Sequence, residues 1–226
     1  LVQRFALSVA PSLGTLTELV RRRELRDGAR DGHEGASSNK TSHTALVVGN
    51  PDFQGRYAQL PGSMKEAQDV AYDLRDHGTE CEVLLSGEAS KDRVLEASQG
   101  RDLLHLATHG SPNGLYFAGG TILTTAEVYT LELAAQLVVL SACDPFKGER
   151  RSDGIIGISR AFLAAGAQSL VVTLWPVDDE ATKRFMGLFY RQFLLAQGGG
   201  HAARAMQHAM CRMIEERNPF DRSKPR

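Results

Sequence analysis

The chain has 226 residues, of which 42% are hydrophobic and 23% charged, a composition typical of globular domains and unlike that of disordered or fibrous chains. Its 26 basic and 27 acidic side chains leave a net charge of −1, so no broad field would attract nucleic acid or an anionic membrane surface. No apolar run approaches the roughly 18 residues that a membrane helix needs. We therefore predict a globular domain with no nucleic-acid or membrane partner.

The number of cysteines indicates the kind of cellular compartment in which the protein is expected. The chain has 3 cysteines, too few for a disulfide scaffold, and it shows no charged-then-apolar secretory leader. Both features favour a reducing, cytoplasmic location. The first residue is Leu1 rather than Met, from which we expect the sequence to be a piece of a longer protein.

Apolar runs alternate with helical patterns along most of the chain. Gly, Asp, Ser, Asn and Lys dominate residues 26–42, which predicts a surface loop. Buried strands are predicted at 45–48, 81–85, 103–108, 137–143 and 169–175. Helices are predicted from Ser63 to His77, at 90–98, at 154–165, from Asp178 to the glycines at 198–200, and at 201–216. The first of these helices is expected to begin with a capping box made by Ser63 and Glu66.

Strands that are apolar throughout and separated by helices predict a largely parallel sheet covered by helices on both faces. The predicted fold class is therefore a three-layer α/β domain. We divide the chain into an N-terminal part at 1–29, a flexible loop at 30–43, a core at 44–217 and a charged tail at 218–226.

Two strand ends carry the residues of chemical interest. Ligand sites of open α/β sheets lie beyond the carboxyl ends of the strands. His109 and Gly110 follow the strand at 103–108, and Cys143 ends the run at 137–143. The 34 residues from His109 to Cys143 allow one excursion and a return into a neighbouring strand, about 4.8 Å away. We therefore expect an imidazole and a thiol to share one crevice.

A thiol beside an imidazole suits nucleophilic catalysis. A free cysteine, with a pKa of about 8.5, is mostly protonated at neutral pH, and a neighbouring imidazole can take its proton and later return one to a leaving amine. The backbone N–H groups of Gly110 and Cys143 could bind a developing oxyanion, since Gly110 has no side chain to block the approach.

Seven blocks of sequence resemble one family. Residues 104–110 (Leu-His-Leu-Ala-Thr-His-Gly) and 137–144 (Leu-Val-Val-Leu-Ser-Ala-Cys-Asp) resemble the two signature blocks of the CHAT domain, a caspase-like cysteine peptidase family. Further similar blocks lie, in the family's order, at 10–13, 49–51 with 60–62, 161–167, 174–179 and 189–190. The resemblance implies a caspase-like fold, with His109 as the base and Cys143 as the nucleophile of an endopeptidase.

The resemblance also implies partners. The substrate would be a protein segment lying extended in the cleft, and no metal or organic cofactor is required. Such domains usually follow TPR repeats, so we expect these in the same full-length protein, where another part of the chain would regulate the activity.

In caspase-like folds, the loop after the next strand helps to wall the substrate pocket. Trp175, Asp178 and Asp179 occupy that loop here and are candidate substrate-binding residues. Their carboxylates would favour a basic side chain at P1, the substrate residue before the cleaved bond. In the alternative interpretation, Asp178 and Asp179 cap the next helix.

The sequence also departs from the family pattern. Pro145 and Phe146 stand where the family usually has Thr-Gly, and proline fixes φ while phenylalanine disfavours positive φ. The charged residues 221–226 stand where the family ends in an aromatic-rich strand, and the chain begins close to the block at 10–13. An inactive CHAT scaffold that binds other proteins is therefore the alternative function, with a flavodoxin-like ligand-binding domain as a third.

Other polar groups have structural interpretations. His105 lies on the same strand face as His109 but deeper in the sheet, which predicts a hydrogen-bonded structural histidine. Residues 49–63 lack both the P-loop pattern and the G-x-G-x-x-G spacing, so a turn is favoured over a phosphate-binding loop. His201, His208 and Cys211 share a helical face with methionines, which favours a packing stripe over a metal site.

Overall fold

The computed structural model describes residues 2–10, 12–31, 43–111, 113–141, 152–173, 179–195 and 202–217. Within them the helices are α1 (Leu13–Asp31), α2 (Pro61–Asp76), α3 (Lys91–Ser98), α4 (Thr125–Tyr129), α5 (Ser152–Ala164), α6 (Asp179–Leu195) and α7 (Ala202–Arg217). The strands are β1 (Thr44–Pro51), β2 (Glu80–Ser86), β3 (Leu103–Ala107), β4 (Gly110–Ser111), β5 (Gly114–Phe117), β6 (Thr121–Thr124), β7 (Leu137–Leu140) and β8 (Leu170–Val172).

Five parallel strands form the central sheet, in the order β2-β1-β3-β7-β8. The chain first builds from β1 outward to β2 and then crosses back to place β3 on the other side of β1. This reversal makes the carboxyl ends of β1 and β3 a topological switch point, where open α/β sheets bind their ligands. The predicted parallel sheet is confirmed.

Helices cover both faces of this sheet, because its strands are apolar on both sides. On one face, α2, α6 and α7 pack their apolar side chains against the odd-numbered positions of β1, β3 and β7, in a cluster that includes Ala67, Val70, Leu74, Phe189 and Ala209. On the other face, α3, α4 and α5 contribute Val94, Ala97, Val128, Ile158 and Phe162. The domain therefore has the three layers expected from the sequence.

A small antiparallel sheet, in the order β4-β5-β6, lies in the excursion between β3 and β7. Leu115, Phe117 and Leu123 of this sheet join the same core as α3 and α5. The sequence analysis did not predict it, since its strands have only two to four residues and their pattern is interrupted by glycines. It matters for the site because β4 begins directly after His109.

The start of the predicted loop is wrong. The loop predicted at 26–42 begins too early, since α1 continues to Asp31: once a helix has formed, each further residue adds a hydrogen bond for little extra entropy. The remainder of that loop, at 32–42, and the charged tail at 218–226 lie outside the described residues.

The predicted capping box at Ser63 and Glu66 is also wrong. Helix α2 begins at Pro61, whose missing N–H and fixed φ suit the first helical position, and its N-cap is Leu60 without a side-chain cap. Ser63 and Glu66 therefore lie inside the helix, and both form hydrogen bonds with groups beyond it. None of the helices in the described ranges is long and apolar enough to cross a membrane.

Candidate functional site

The candidate site lies where β1 and β3 end. The segment 52–60 follows β1, and His109 follows β3, so the switch point of the sheet brings them together. His109 is only 5% exposed. Its backbone is held by the small sheet, since the N–H of Tyr116 donates to the His109 carbonyl at 2.9 Å.

A backbone carbonyl orients the imidazole of His109. Nε2 lies 2.8 Å from the carbonyl oxygen of Ala58. Because a carbonyl oxygen can only accept, Nε2 must carry the proton, and in the neutral ring Nδ1 is then the unprotonated nitrogen. Nδ1 forms no hydrogen bond with any residue in the described part of the chain. The ring is thus held by one nitrogen and offers a lone pair at the other.

Aromatic rings pack beside this imidazole. The centroid of Phe53, which is fully buried, lies 4.9 Å from that of His109, and the centroid of Tyr57 lies 6.1 Å from it. Tyr57 in turn contacts Tyr116, with ring centroids 4.5 Å apart. A hydrogen bond with Tyr116, followed by desolvation, raises the pKa of Tyr57, so the Tyr57 phenol is neutral at physiological pH. These rings restrict the movement of the imidazole.

Sequence reasoning identified His109 but missed its supports. The Ala58 carbonyl has no side-chain signature, since any residue supplies that oxygen. The aromatic residues Phe53 and Tyr57 carried a weak signal, because they interrupt an otherwise polar turn after β1. Gly110, the predicted oxyanion donor, begins β4 as a half-buried residue paired with Leu115.

A second polar cluster lies beneath this site, on the sheet face covered by α2, α6 and α7. Ser141 Oγ lies 3.1 Å from Glu66 Oε2, and Glu66 Oε1 lies 3.3 Å from His105 Nε2. His105 Nδ1 lies 2.9 Å from the hydroxyl of Tyr190. We call these four residues the buried polar network. His105 and Tyr190 are fully buried, so the prediction of a hydrogen-bonded structural histidine is confirmed.

The neighbouring groups indicate the direction of the hydrogen bonds in this network. A carboxylate oxygen can only accept, so the His105 nitrogen that faces Glu66 Oε1 carries a proton, and in the neutral ring Nδ1 then accepts from the Tyr190 hydroxyl. Desolvation, and then the charge of Glu66, raise the pKa of Tyr190 well above 10, so this hydroxyl keeps the proton that it donates. Neither His105 Nε2 nor Glu66 Oε1 has a well-aligned partner among the described residues, so the 3.3 Å contact is chiefly electrostatic. Ser141 donates to the other carboxylate oxygen.

Most of the remaining predicted site residues lie outside the part of the chain that the structure describes. Cys143, Trp175 and Asp178 lie outside the described residues, as do Pro145 and Phe146. Asp179 opens α6, which confirms that a helix begins at this acidic stretch, although its side chain is not described.

Comparison of the whole chain with known families supports the resemblance to the CHAT domain. The profile of the CHAT domain matches residues 1–225. The chain belongs to the CHAT-domain family. The human protein "Tetratricopeptide repeat protein 28" is 29% identical over 256 residues, covering 93% of this chain and 10% of that protein. The mouse protein of the same name is 30% identical over 196 residues, covering 66% of this chain and 8% of that protein.

The CHAT domain therefore spans about a tenth of the length of the curated relatives it matches. Among solved structures, it is similar to the Arg-specific cysteine proteinase gingipain R, with a TM-score of 0.52 and 12% identity over 80% of this chain and 43% of that one. A complex of the pro- and mature domains of Porphyromonas gingivalis RgpB gives a TM-score of 0.54 and 13% identity over 78% of this chain and 43% of that one. At these identities the likeness shows the fold alone, which is caspase-like.

Proposed function

We propose that this CHAT domain is a caspase-like cysteine endopeptidase that uses Cys143 and His109. The observation that carries the proposal is the register of β3 and β7. From Leu103 paired with Leu137 to Leu106 paired with Leu140, each residue of β3 lies opposite the residue 34 positions later. His109 and Cys143 are separated by the same interval. If the register continued past the strand ends, the two residues would be opposite each other, about 4.8 Å apart.

The orientation of His109 supports its proposed role as the base. Nδ1 accepts the thiol proton of Cys143 while Nε2–H stays bonded to the Ala58 carbonyl, which stabilises the imidazolium as it forms. The thiolate then attacks the peptide carbonyl, and the N–H groups of Gly110 and Cys143 bind the oxyanion. When the tetrahedral intermediate collapses, Nδ1–H protonates the leaving amine, and water later hydrolyses the thioester with His109 again as base.

The substrate-binding residues remain part of the proposal. Trp175, Asp178 and Asp179 would wall the pocket, and the two carboxylates would favour a lysine or arginine at P1. Cleavage rates of matched peptides with a basic or a neutral P1 residue, in the parent chain and in the Asp178→Asn and Asp179→Asn variants, test this preference. Equal rates for all P1 residues would assign both aspartates to the helix start alone.

The wider setting is also proposed rather than observed. TPR repeats in the same full-length protein are supported by the names of the two relatives, and we propose regulation by such a neighbouring part of the chain. We retain the cytoplasm as the location, supported by the sparse cysteines.

The alkylation rate of Cys143 tests the proposed dyad. The rate of iodoacetamide labelling would be followed from pH 5 to 9 by peptide mass spectrometry, in the parent chain and in His109→Ala. Cys81 and Cys211, both half-buried, serve as internal references, and burial raises the pKa of Cys81. An activated thiol labels quickly at neutral pH, and His109→Ala slows Cys143 at least about tenfold without changing the references.

The same experiment decides for the alternative function. If Cys143 titrates as an ordinary thiol at the same rate in both chains, the domain is an inactive scaffold for protein interaction. The specific observation that favours the scaffold is the Pro145-Phe146 pair, two and three residues after the nucleophile position, where proline fixes φ and phenylalanine disfavours the positive φ that the family's glycine permits.

A further inference from the structure

The segment between β1 and α2 supplies two supports of His109: the Ala58 carbonyl and the ring of Phe53. Ala58 itself is exposed and lies in no helix or strand, so nothing in its own local structure fixes its carbonyl. The position of that oxygen therefore depends on how the segment is held, both by the contacts of Asp52, Phe53 and Tyr57 within it and by the bonds at its two ends.

Asn50 connects those two ends. Its side-chain Oδ1 accepts a hydrogen bond from the backbone N–H of Leu60 at 2.6 Å, so it joins the end of β1 to the start of α2 across the segment. Its backbone N–H donates to Ser63 Oγ at 3.0 Å, and Ser63 Oγ donates to the Leu60 carbonyl at 2.9 Å. Asn50 is only 6% exposed, so water competes little for these bonds.

The backbone at this point requires a special residue. Asn50 has a φ of 43°, in the left-handed region that asparagine and glycine tolerate best. The preceding Gly49 has no room for a side chain, since a Cβ there would lie 2.5 Å from the Cβ of Ala67 and 2.6 Å from the Ser63 carbonyl oxygen. Helix α2 therefore packs closely against the end of β1 at Gly49, and Asn50 is the next residue in the chain.

We propose that Asn50 is a positioning residue for His109. By fixing Leu60 it sets the path of the segment, and so holds the Ala58 carbonyl where it binds Nε2–H and keeps the lone pair on Nδ1. This inference rests on the proposed function, in which Nδ1 accepts the thiol proton. Asn50 itself touches no reacting atom.

Three substitutions separate the side-chain bond from the backbone conformation. Asn50→Gly keeps the left-handed φ but removes the acceptor of the Leu60 N–H. Asn50→Asp keeps an acceptor for the Leu60 N–H and also tolerates the left-handed φ. Its negative charge would lie at the start of α2, where a helix favours an anion. Gln54→Gly is the matched control, because Gln54 lies in the same segment with a φ of 51° but is exposed.

The readout is the imidazole of His109, observed by ¹⁵N NMR of the labelled 226-residue chain. We expect a single Nε2–H tautomer in the parent, in Asn50→Asp and in Gln54→Gly. In Asn50→Gly we expect a mixture of tautomers and exchange of the Nε2 proton with water about 2- to 10-fold faster, the factor that one lost hydrogen bond gives. The alkylation rate of Cys143 should fall in Asn50→Gly and recover in Asn50→Asp.

If Asn50→Gly gives the same His109 spectrum as the parent and Gln54→Gly, the inference is wrong. Should Asn50→Gly fail to fold, Ser63→Ala removes the second bond to Asn50, and an unchanged His109 spectrum there would equally overturn it. Since the NMR readout does not involve Cys143, it can succeed even if His109→Ala leaves Cys143 labelling unchanged. The failure of the proposed function is thus distinguishable from the failure of this inference.

Discussion

Two histidines four residues apart, one in β3 and one just past its end, have different environments in this CHAT domain. His105 is fully buried, and both of its ring nitrogens face polar side chains. His109, just past the strand end, is held at one nitrogen by a backbone carbonyl and is packed against aromatic rings. A histidine in the sheet interior needs a partner at each nitrogen, whereas one at the strand end can leave a nitrogen for chemistry.

The largest difference should appear on deleting each ring. His105→Ala leaves the Glu66 carboxylate and the Tyr190 hydroxyl without their partner in the interior and opens a cavity, which together cost about 3–5 kcal/mol. His109→Ala should cost no more than about 1–2 kcal/mol, because the carbonyl it releases belongs to exposed Ala58 and can bind water. Urea unfolding of both variants measures the two losses, and equal losses would remove the distinction between the two environments.

Removing only the hydroxyl of Tyr190 measures how much one hydrogen bond of the buried polar network contributes to stability. Tyr190→Phe keeps the ring but leaves His105 Nδ1 without a donor, and we expect a loss of about 1–3 kcal/mol in the free energy of unfolding. Tyr72→Phe is the matched control, since Tyr72 is 71% exposed; it should change stability by less than about 0.5 kcal/mol. A loss in Tyr190→Phe no greater than in the control would show that this hydrogen bond contributes nothing.

The buried Tyr190 should also make the free energy of unfolding depend on pH in the alkaline range. Burial raises the pKa of Tyr190 in the folded state, so above pH 10 the unfolded chain loses this proton while the folded one retains it. The unfolded state then binds fewer protons, and stability falls as pH rises, by up to about 1.4 kcal/mol per pH unit from this group. Urea unfolding between pH 9 and 11 should show a shallower fall in Tyr190→Phe than in the parent. Parallel curves would contradict the buried phenol.

The smallest effect should come from a polar cluster on the surface. Hydrogen bonds from Lys91 and Thr124 lower the pKa of Glu127 to about 2, so its contribution is present above the unfolded value of 4.5 and is lost as pH falls toward 2. The side chain is 41% exposed. Solvent screening therefore limits the loss in Glu127→Gln to about 0.5 kcal/mol at pH 7. A loss as large as that in Tyr190→Phe would show that burial does not decide the strength of these clusters.

The parts of the fold that repeat a simple pattern could be predicted. Five apolar runs predicted the parallel sheet, because strands buried on both faces carry no polar alternation. The capping box failed because Ser63 and Glu66 match the pattern locally, while Pro61 favours an earlier helix start. Tertiary contacts then give both side chains other partners, which no local rule anticipates.

The candidate site was predicted only in part, for a physical reason. His109 follows an apolar run at the end of a strand, and that position has a sequence signature. The Ala58 carbonyl has none, since it is a backbone atom brought in by a segment whose path depends on Asn50 and Leu60. The pairing of His109 with Cys143 stays a prediction, supported by the strand register.

Disulfide trapping in His109→Cys tests that pairing most directly. Mild oxidation, followed by mass spectrometry of the linked peptides, reports whether a thiol at position 109 reaches Cys143. A disulfide needs Cα atoms about 4.4–6.8 Å apart, which adjacent strands would provide if the register seen from Leu103 to Leu106 extends to position 109. Ser111→Cys, two residues further along, is the control. We expect a 109–143 disulfide to form rapidly and at a higher yield than the 111–143 disulfide; no link at position 109, or a faster link at position 111, would contradict the dyad.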